Sequence, residues 1–475
     1  MEELFILTGS NIFESPEIKY IHFVGIGGIS MSGLAEILMR FGYKISGSDL
    51  KASKLTKKLE QMGVKIYISH DESNIKNPDL VVYTAAVKQD NPELIRARAL
   101  NVPIMDRATL LGQIMEKYPY SIAISGTHGK TTTTSMITTI MMEAGLDPTV
   151  HIGGELQSIG GSTRIGGNKY FITEACEYVE SFLKFHPFLA VILNIDLDHV
   201  DYFKDLEHIK SAFLKFASLV PDNGCVVACA DDPGTSWLLD KLTCNKITYG
   251  LKSENALWSA KDIVFNDMGC ATFSLTRNDE KIDTIALNIP GIHNVNNALA
   301  AIAACHAFGC GISQIKEGLR KFTGASRRFE LKGIVDGIKV IDDYAHHPSE
   351  VKATLKAAKN CRHSKIWCVF QPHTYTRTKS FLEDFSNSFS DADSIIVSDI
   401  YAAREIDRGE IHARALCERL SSKGKKAVYI SGFENIAAYL ENHASTGDII
   451  ITMGAGDIYK VGEIFLEHKK IAAAI

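Results

Sequence analysis

A glycine-rich turn between a short apolar run and a row of hydroxyl residues constrains the fold more than any other feature of this chain. Residues 121–134 read SIAISGTHGKTTTT. Backbone N–H groups at the start of a helix carry partial positive charge, and glycines let a phosphate approach them closely. The segment therefore predicts a β-strand, a phosphate-binding turn and a helix, a unit typical of α/β sheets.

The side chains of this turn favour nucleotide binding. Lys130 would reach the β- and γ-phosphates of a triphosphate, and the hydroxyl of Thr131 would bind a magnesium ion. The general phosphate loop has a glycine five places before Gly129, where this chain has Ile124, so the loop is a shorter form. The alternative is a glycine turn followed by a threonine-capped helix with a solvated lysine.

Two later residues are candidates for completing a magnesium site. Glu174 ends the strand-like run YFIT, and His199 follows the apolar run LAVILN. Magnesium ligands of this kind usually lie at the carboxyl ends of neighbouring parallel strands. Each residue also has a structural alternative, Glu174 as a solvated acid and His199 as a hydrogen-bonded histidine without a metal.

A second glycine loop lies earlier in the chain. The sequence GIGGIS, from Gly25 to Ser30, follows the apolar run IHFV and precedes a helical pattern. A dinucleotide fingerprint has a third glycine in place of Ser30, whereas Asp49, at the end of the next strand, has the place of a ribose-binding acid. We favour a diphosphate ligand, with NAD binding and a tight turn that merely allows close packing as alternatives.

Strand-like runs alternate with amphipathic helical patterns almost throughout, which predicts an α/β fold with largely parallel sheets. A chain of 475 residues is too long for one ordinary core, and at roughly 150 residues per domain it predicts about three domains. Breaks near Tyr118 and in the turn-like TGASRR predict domains at residues 1–118, 119–326 and 327–475.

Composition excludes several classes of partner. The 51 Lys and Arg residues and 56 Asp and Glu residues give a formal charge of -5 without a block of like charges, so nucleic acid is not an expected partner. No apolar run approaches the roughly 18 residues of a membrane span, so membrane insertion is not expected. The ten cysteines include no CxxC pair, which favours a reduced cytoplasmic protein.

Ten motifs together resemble one known family over nearly the full length. They are HFVGIGGISMSGLAEIL, SGSD, GTHGKTTTT, EACEYVESF, NIDLDHVDYF, PGIHNVNNALAA, SRRFE, IDDYAHHPSE, FQPHTYTRT and GAGD. In this order they resemble the Mur ligases of peptidoglycan synthesis. DDYAHHP and FQPHTYTRT are most similar to the branch that adds the first amino acid, and the murein-peptide recycling ligase is the nearest alternative.

The resemblance implies three domains: an N-terminal Rossmann-like domain for the UDP-sugar, a central P-loop ATPase domain with a mainly parallel sheet, and a C-terminal Rossmann-like domain that closes with the amino acid. It implies ATP as co-substrate, two magnesium ions, and UDP-N-acetylmuramate and L-alanine as substrates. A carboxylate and an amine form a salt at neutral pH, so the carboxylate must first become an acyl phosphate. We expect a monomer or a weak homodimer.

The resemblance also implies roles for individual residues. The UDP-sugar would contact Gly25, Gly27, Gly28 and Ser30, with Asp49, His70 and Thr84 nearby. ATP would contact Gly126, Thr127, His128, Gly129, Lys130, Thr131 and Thr132, with Asn294 and Asn297 at the adenine and Arg328 and Asp343 at the phosphates and ribose. Thr131 and Glu174 would hold a first magnesium ion and His199 a second one near the sugar carboxylate. The catalytic group would be Lys130, Glu174, His199, His346 and Arg377.

Two departures from the family pattern stand out. Thr374 replaces an arginine that some members have after the histidine of FQPH, which weakens the expected contacts to the amino acid's carboxylate. Neither Lys210 nor Lys215 falls at the place of the carbamylated lysine of several sister ligases, so no such modification is expected. An NAD-dependent oxidoreductase would use GIGGIS and Asp49 but would leave the GTHGKT loop without a role.

Overall fold

The computed structural model describes the backbone of residues 11–474. The outermost residues of the first and third predicted domains, 1–10 and 475, lie outside the described residues. Three separate sheets follow one another along the chain, so the predicted α/β class is confirmed. No helix in the described range is long and apolar enough to cross a membrane.

The N-terminal sheet has five strands in the order β3-β2-β1-β4-β5, and every pair is parallel. The chain moves to opposite sides of β1 for its two neighbours, which makes the carboxyl end of β1 a topological switch point, where α/β sheets usually bind ligands. The strands are β1 (Tyr20–Val24), β2 (Lys44–Asp49), β3 (Lys65–Ile68), β4 (Leu80–Tyr83) and β5 (Ile104–Asp106); the helices are α1 (Ile29–Arg40), α2 (Lys54–Gln61), α3 (Pro92–Ala99) and α4 (Arg107–Glu116).

The central sheet has ten strands in the order β15-β14-β13-β12-β11-β10-β6-β9-β7-β8. Its middle is parallel, and antiparallel pairs occur only toward the two edges among the described strands. The strands are β6 (Tyr120–Ser125), β7 (Thr149–Leu156), β8 (Gly161–Arg164), β9 (Tyr170–Glu174), β10 (Leu189–Ile192), β11 (Cys225–Cys229), β12 (Asn245–Gly250), β13 (Trp258–Phe265), β14 (Cys270–Arg277) and β15 (Glu280–Pro290); the helices are α5 (Lys130–Glu143), α6 (Leu206–Ala217), α7 (Pro233–Leu239), α8 (Ile292–Ala307) and α9 (Ile312–Lys321).

The C-terminal sheet has six strands in the order β16-β17-β21-β18-β19-β20, with only β16 and β17 antiparallel in the part of the chain described. The strands are β16 (Glu330–Val335), β17 (Ile338–Asp343), β18 (Ile366–Phe370), β19 (Ser394–Val397), β20 (Ala427–Tyr429) and β21 (Ile449–Met453); the helices are α10 (Pro348–Lys359), α11 (Tyr375–Ser380), α12 (Leu382–Ser386), α13 (Ala413–Ser422), α14 (Phe433–His443) and α15 (Tyr459–Ala474).

Helix α5 shows how packing overrides local propensity. Its sequence KTTTTSMITTIMME is rich in β-branched residues, which favour helices only weakly. Buried hydroxyls need partners, and Thr134, Thr138 and Thr139 each donate to the carbonyl four residues earlier. The helix is buried from Thr131 to Met141 because it packs against α8 and α9.

The three sheets are joined by two different kinds of interface. The N-terminal and central domains share one hydrophobic cluster, in which the rings of Tyr118 and Phe171 lie 5.1 Å apart. The C-terminal domain has its own clusters and meets the central domain largely through polar contacts such as Arg377 with Asp198. Polar interfaces of this kind are typical of domains that can move relative to one another.

Candidate active site

The GTHGKT loop lies at the carboxyl end of β6, at a switch point of the central sheet, as its sequence predicts. Gly126 and Gly129 have φ values of 137° and 89°, a region in which L side chains are strained. A Cβ on Gly129 would lie 2.7 Å from Oδ1 of Asn297. The two glycines thus give the tight turn, and Lys130 is the first residue of α5.

Lys130 forms a buried ion pair with a residue that sequence reasoning missed. Its Nζ lies 2.9 Å from Oε2 of Glu177, whose side chain is completely buried, and also donates to the carbonyl of Gly126. Burial alone would lower the pKa of Lys130, but the Glu177 carboxylate more than offsets this and raises it. The clue in the sequence is that Glu177 follows Glu174 by three residues in EACE.

The predicted metal ligands come from three separate segments. Thr131 lies in the first turn of α5, Glu174 ends β9, and His199 has a left-handed backbone with φ 51°. Oε1 of Glu174 accepts the N–H of Gly153 at 2.9 Å. Nε2 of His199 lies 3.8 Å from Oε1 of Glu177, so His199, Glu177 and Lys130 form one cluster.

A cavity of about 410 Å³ opens beside the phosphate loop, between the central and C-terminal domains. It is lined by several predicted ATP contacts, namely His128, Gly129, Thr132, Asn294, Asn297, Arg328 and Asp343. Asn294 and Asn297 are bonded to each other at 3.0 Å, whereas Oδ1 of Asn296 and Nδ1 of His293 are buried with no partner among the described residues. Such atoms indicate a polar ligand, and Asn296 is a second residue that sequence reasoning missed.

Arg328 and Asp343 lie at the C-terminal wall of this cavity. The guanidinium of Arg328 is 3.9 Å from Glu350 and 5.1 Å from the ring centre of Tyr344. Burial raises the pKa of Asp343 to about 6, against the attraction of Arg328. Its carboxylate accepts the N–H groups of Phe329 and Ala345 and so holds the turn at the end of β17.

His128 links the phosphate loop to the C-terminal domain. Its Nδ1 lies 3.3 Å from Glu350 and its Nε2 lies 3.7 Å from Asp196, so Glu350 is the nearer partner. Burial alone would lower the pKa of His128, but Asp196 and Glu350 together raise it to about 9. The imidazolium therefore lies between a carboxylate of the central domain and one of the C-terminal domain, and its Nε2 makes no hydrogen bond within the described residues.

His128, Asp196 and His347 place ligand-type atoms within 4.8 Å of one another. Both ring nitrogens of His347 are already used, however, because Nδ1 accepts the N–H of Ser349 and Nε2 donates to the carbonyl of Leu197. A metal there would displace one of these two bonds, so we interpret this cluster as a hydrogen-bonded domain contact.

His346 and Arg377 lie together at the same domain boundary. Arg377 is bonded to Asp198 at 2.8 Å and to Nδ1 of His373 at 3.1 Å. Burial lowers the pKa of His346 to about 4, so the ring is neutral at pH 7. Its Nδ1 contacts the carbonyl of Tyr344 at 3.0 Å, which leaves the lone pair on Nε2.

The GIGGIS loop follows β1, and Asp49 holds it in place. Oδ2 of Asp49 accepts the N–H of Gly27 at 2.9 Å, and a Cβ on Gly27 would meet that oxygen at 2.8 Å. Gly25 has φ 86° and lies against Thr84. Gly28 caps α1 without a side chain, which leaves the first N–H groups of the helix open to an anion.

His70 and Ser30 are already bonded within the protein. Nδ1 of His70 lies 2.9 Å from the buried carboxylate of Glu93. The hydroxyl of Ser30 lies between Nε2 of His151 and a guanidinium nitrogen of Arg107. The hydroxyl of Ser30, which was predicted to contact a diphosphate, is therefore already bonded within the protein. Arg107 is a third residue that sequence reasoning missed.

Family models match each of the three domains. The Mur ligase family catalytic domain matches residues 20–119, the Mur ligase middle domain matches 124–305, and the Mur ligase glutamate ligase domain matches 327–456. The chain belongs to the Mur ligase family. This Mur ligase is 62% identical to a UDP-N-acetylmuramate--L-alanine ligase of Acetivibrio thermocellus, over 98% of this chain and 99% of that relative.

Solved structures agree with the assignment. The UDP-N-acetylmuramate-alanine ligase MurC of Thermotoga maritima superposes with a TM-score of 0.81 at 31% identity, covering 95% of this chain and 99% of that one. A murein peptide ligase of Psychrobacter arcticus gives a TM-score of 0.69 at 26% identity, covering 95% and 98%. The three-domain architecture inferred from the sequence is therefore confirmed for this Mur ligase, while its residue boundaries stay predictions.

Proposed function

We propose that this Mur ligase joins L-alanine to the carboxylate of UDP-N-acetylmuramate in an ATP-dependent step of peptidoglycan precursor synthesis. The observation that carries the proposal is a pair of phosphate loops on two sheets that share one apolar core, with a nucleotide-sized cavity beside the second loop. An NAD-dependent oxidoreductase would leave the second loop idle. The 62% identity to a named alanine ligase supports the main function over the murein-peptide alternative.

The chemistry requires two steps. The muramyl carboxylate attacks the γ-phosphorus of ATP, which breaks the bond to the bridging oxygen and gives ADP and an acyl phosphate. The neutral amine of alanine then attacks the acyl carbon, the C–O bond to phosphate breaks, and the amine loses a proton. Positioning and charge neutralisation supply most of the catalysis in phosphoryl transfer.

Lys130 and His128 provide the positive charge at the phosphate loop. Lys130 is paired with Glu177 in the structure, and we expect the triphosphate to take over part of that pairing. His128 carries a proton at neutral pH because of its two carboxylate neighbours, so it also attracts the triphosphate. Arg328, on the C-terminal wall of the cavity, adds a third cation when the domains are closed.

The residues Thr131, Glu174 and His199 fit magnesium. Thr131 and Glu174 offer a hydroxyl and a carboxylate oxygen, the ligand type that Mg²⁺ prefers beside waters and phosphate oxygens, and the imidazole of His199 is proposed for the second ion. Oε1 of Glu174 is fixed by the N–H of Gly153, which orients the carboxylate before any ion binds. Bound magnesium would neutralise charge on the transferring phosphoryl group. We keep the proposed number of ions at two.

The C-terminal domain supplies the groups around the amino acid. Nε2 of His346 has a free lone pair and a neutral ring, so it is the proposed acceptor of the amine's proton. Arg377 is held by Asp198 of the central domain, and we expect it near the acyl phosphate when the domains are closed. Closure of this domain excludes water, which would otherwise hydrolyse the acyl phosphate. The proposed location is the cytoplasm, where nucleotide-sugar precursors are made.

Acceptor-dependent phosphate release tests the proposal. The purified chain is incubated with ATP, magnesium and UDP-N-acetylmuramate, and each amino acid is added singly while phosphate and product mass are measured. Release that depends on alanine, with a product heavier by one alanyl residue, is the expected result. Release that requires a murein tripeptide instead would assign the recycling activity, and no release with any acceptor would refute the ligase.

A further inference from the structure

Arg107 is the first residue of α4 and points into the boundary between the N-terminal and central domains. Its Nη1 donates to Oγ of Ser30 at 3.0 Å, and Ser30 is the second residue of α1, directly after the GIGG turn. The guanidinium therefore lies beside the open N–H groups at the start of α1. No motif drew attention to this residue.

The direction of the hydrogen bonds around Ser30 follows from the charges. His151 is buried, and burial together with the charge of Arg107 lowers its pKa to about 3, so its ring is neutral. Its Nε2, 2.8 Å from Oγ of Ser30, then accepts the serine hydroxyl hydrogen, and the serine oxygen accepts from Arg107. Ser30 thus orients Arg107 and has no hydrogen left for a ligand.

Arg107 lacks a carboxylate partner within residues 11–474. The neighbouring Asp106 is used otherwise, because Oδ1 caps α4 and Oδ2 binds Thr109 and Lys184. The thiol of Cys176 is also near, but burial raises its pKa to about 11, so it supplies no negative charge. Asp106 attracts the guanidinium only from a distance, so Arg107 is a partly buried cation that no carboxylate of residues 11–474 contacts. This indicates that the contacting anion comes from a ligand.

We propose that Arg107 binds the diphosphate of the UDP-sugar, together with the first N–H groups of α1, and that Ser30 and His151 position it. The inference rests on the proposed function and names the cation of its sugar-nucleotide site. Because His151 belongs to β7 of the central sheet, this contact connects the diphosphate to the domain that binds ATP. The guanidinium fork suits two phosphate oxygens at once, which an ammonium group does not.

Calorimetric titration of the full-length chain with UDP, UMP and uridine, without ATP, tests the inference. Arg107→Gln should weaken UDP binding about 10- to 100-fold, the scale of losing charge-assisted hydrogen bonds, and leave uridine binding unchanged. Arg107→Lys should recover part of the loss because it keeps the charge without the fork. The matched control is Arg96→Gln, an exposed arginine on α3, which should bind UDP like the wild type.

Each outcome separates the inference from the function on which it rests. If wild type and Arg107→Gln bind UDP equally while alanine ligation proceeds in the wild type, the role of Arg107 is wrong and the ligase stands. An equal loss of uridine affinity in Arg107→Gln would also overturn the role. The substitution would then have disturbed the whole N-terminal domain and not a phosphate contact. If the wild type binds no UDP and ligates no alanine, the proposed function itself fails.

Discussion

The buried pair of Lys130 and Glu177 yields a prediction in which the stability of the central domain depends on ATP. Glu177→Gln keeps the shape of the side chain but removes its charge, so Lys130 is left buried between the carbonyl of Gly126 and a neutral amide. The change acts on a group that is completely buried and 2.9 Å from its partner. Both features put the expected effect well above that of a surface pair.

The magnitude follows from the distance. Two unit charges 2.9 Å apart attract by about 6 kcal/mol at an effective dielectric constant near 20. Breaking a buried pair by removing one partner usually costs about 3–5 kcal/mol, because part of the attraction only repays desolvation. For a domain of this size each kcal/mol shifts the melting temperature by about 2–4 °C, so we expect a loss of about 6–20 °C.

Thermal unfolding with and without ATP is the assay. ATP should reduce the difference between Glu177→Gln and the wild type, because the triphosphate then supplies a counter-charge for Lys130. The control is Glu180→Gln in the same loop, whose one ionic partner within residues 11–474 is His208 at 3.4 Å, and it should shift the melting temperature by about 2 °C or less. A difference that ATP leaves unchanged would refute the idea that Lys130 exchanges partners.

Three further predictions concern turnover, metal dependence and pH. Lys130→Ala and Glu174→Ala should each lower turnover at least roughly a hundredfold in the phosphate-release assay, and near-normal turnover would contradict their placement. His199→Ala should raise the magnesium concentration needed for half-maximal activity, and an unchanged magnesium titration would remove His199 from the metal site. The pKa of His128 is raised to about 9, above the ordinary value of 6.5, so its stabilising charge is fully present below about pH 6.5 and is lost as the pH rises through 9. The unfolding free energy should therefore fall by about 3 kcal/mol over this range, and His128→Gln should remove that decrease; an identical pH profile in the variant would contradict the placement of a charged His128 between the two carboxylates.

Local sequence was sufficient to predict the units of the fold. Strand, glycine turn and helix were predicted at GIGGIS and at GTHGKT because the positive φ of Gly25, Gly126 and Gly129 is a property of the turn itself. The apolar runs before Asp49 and Glu174 were sufficient to predict that each residue ends a β-strand. Chain length and the turn-like breaks predicted three domains, and the motif resemblance then supplied the chemistry.

The partners of the charged groups depended on the tertiary structure. Glu177 points inward because the chain reverses directly after it, with Val179 and Glu180 both left-handed, and no periodicity in EACEYVES predicts such a reversal. Asp49 has the place of a ribose-binding acid in the NAD alternative, and the structure shows that one of its oxygens holds the backbone of the glycine loop, a contact that the sequence did not predict.

The sequence by itself determined where each phosphate loop begins, because the conformational freedom of glycine and the start of a helix are properties of neighbouring residues. Only the tertiary structure decided that Arg107 meets Ser30 and His151, and that His128 meets Glu350 of the C-terminal domain. These contacts join segments far apart in the chain. Their energies depend on burial and on the sum of nearby charges, and no local pattern encodes either quantity.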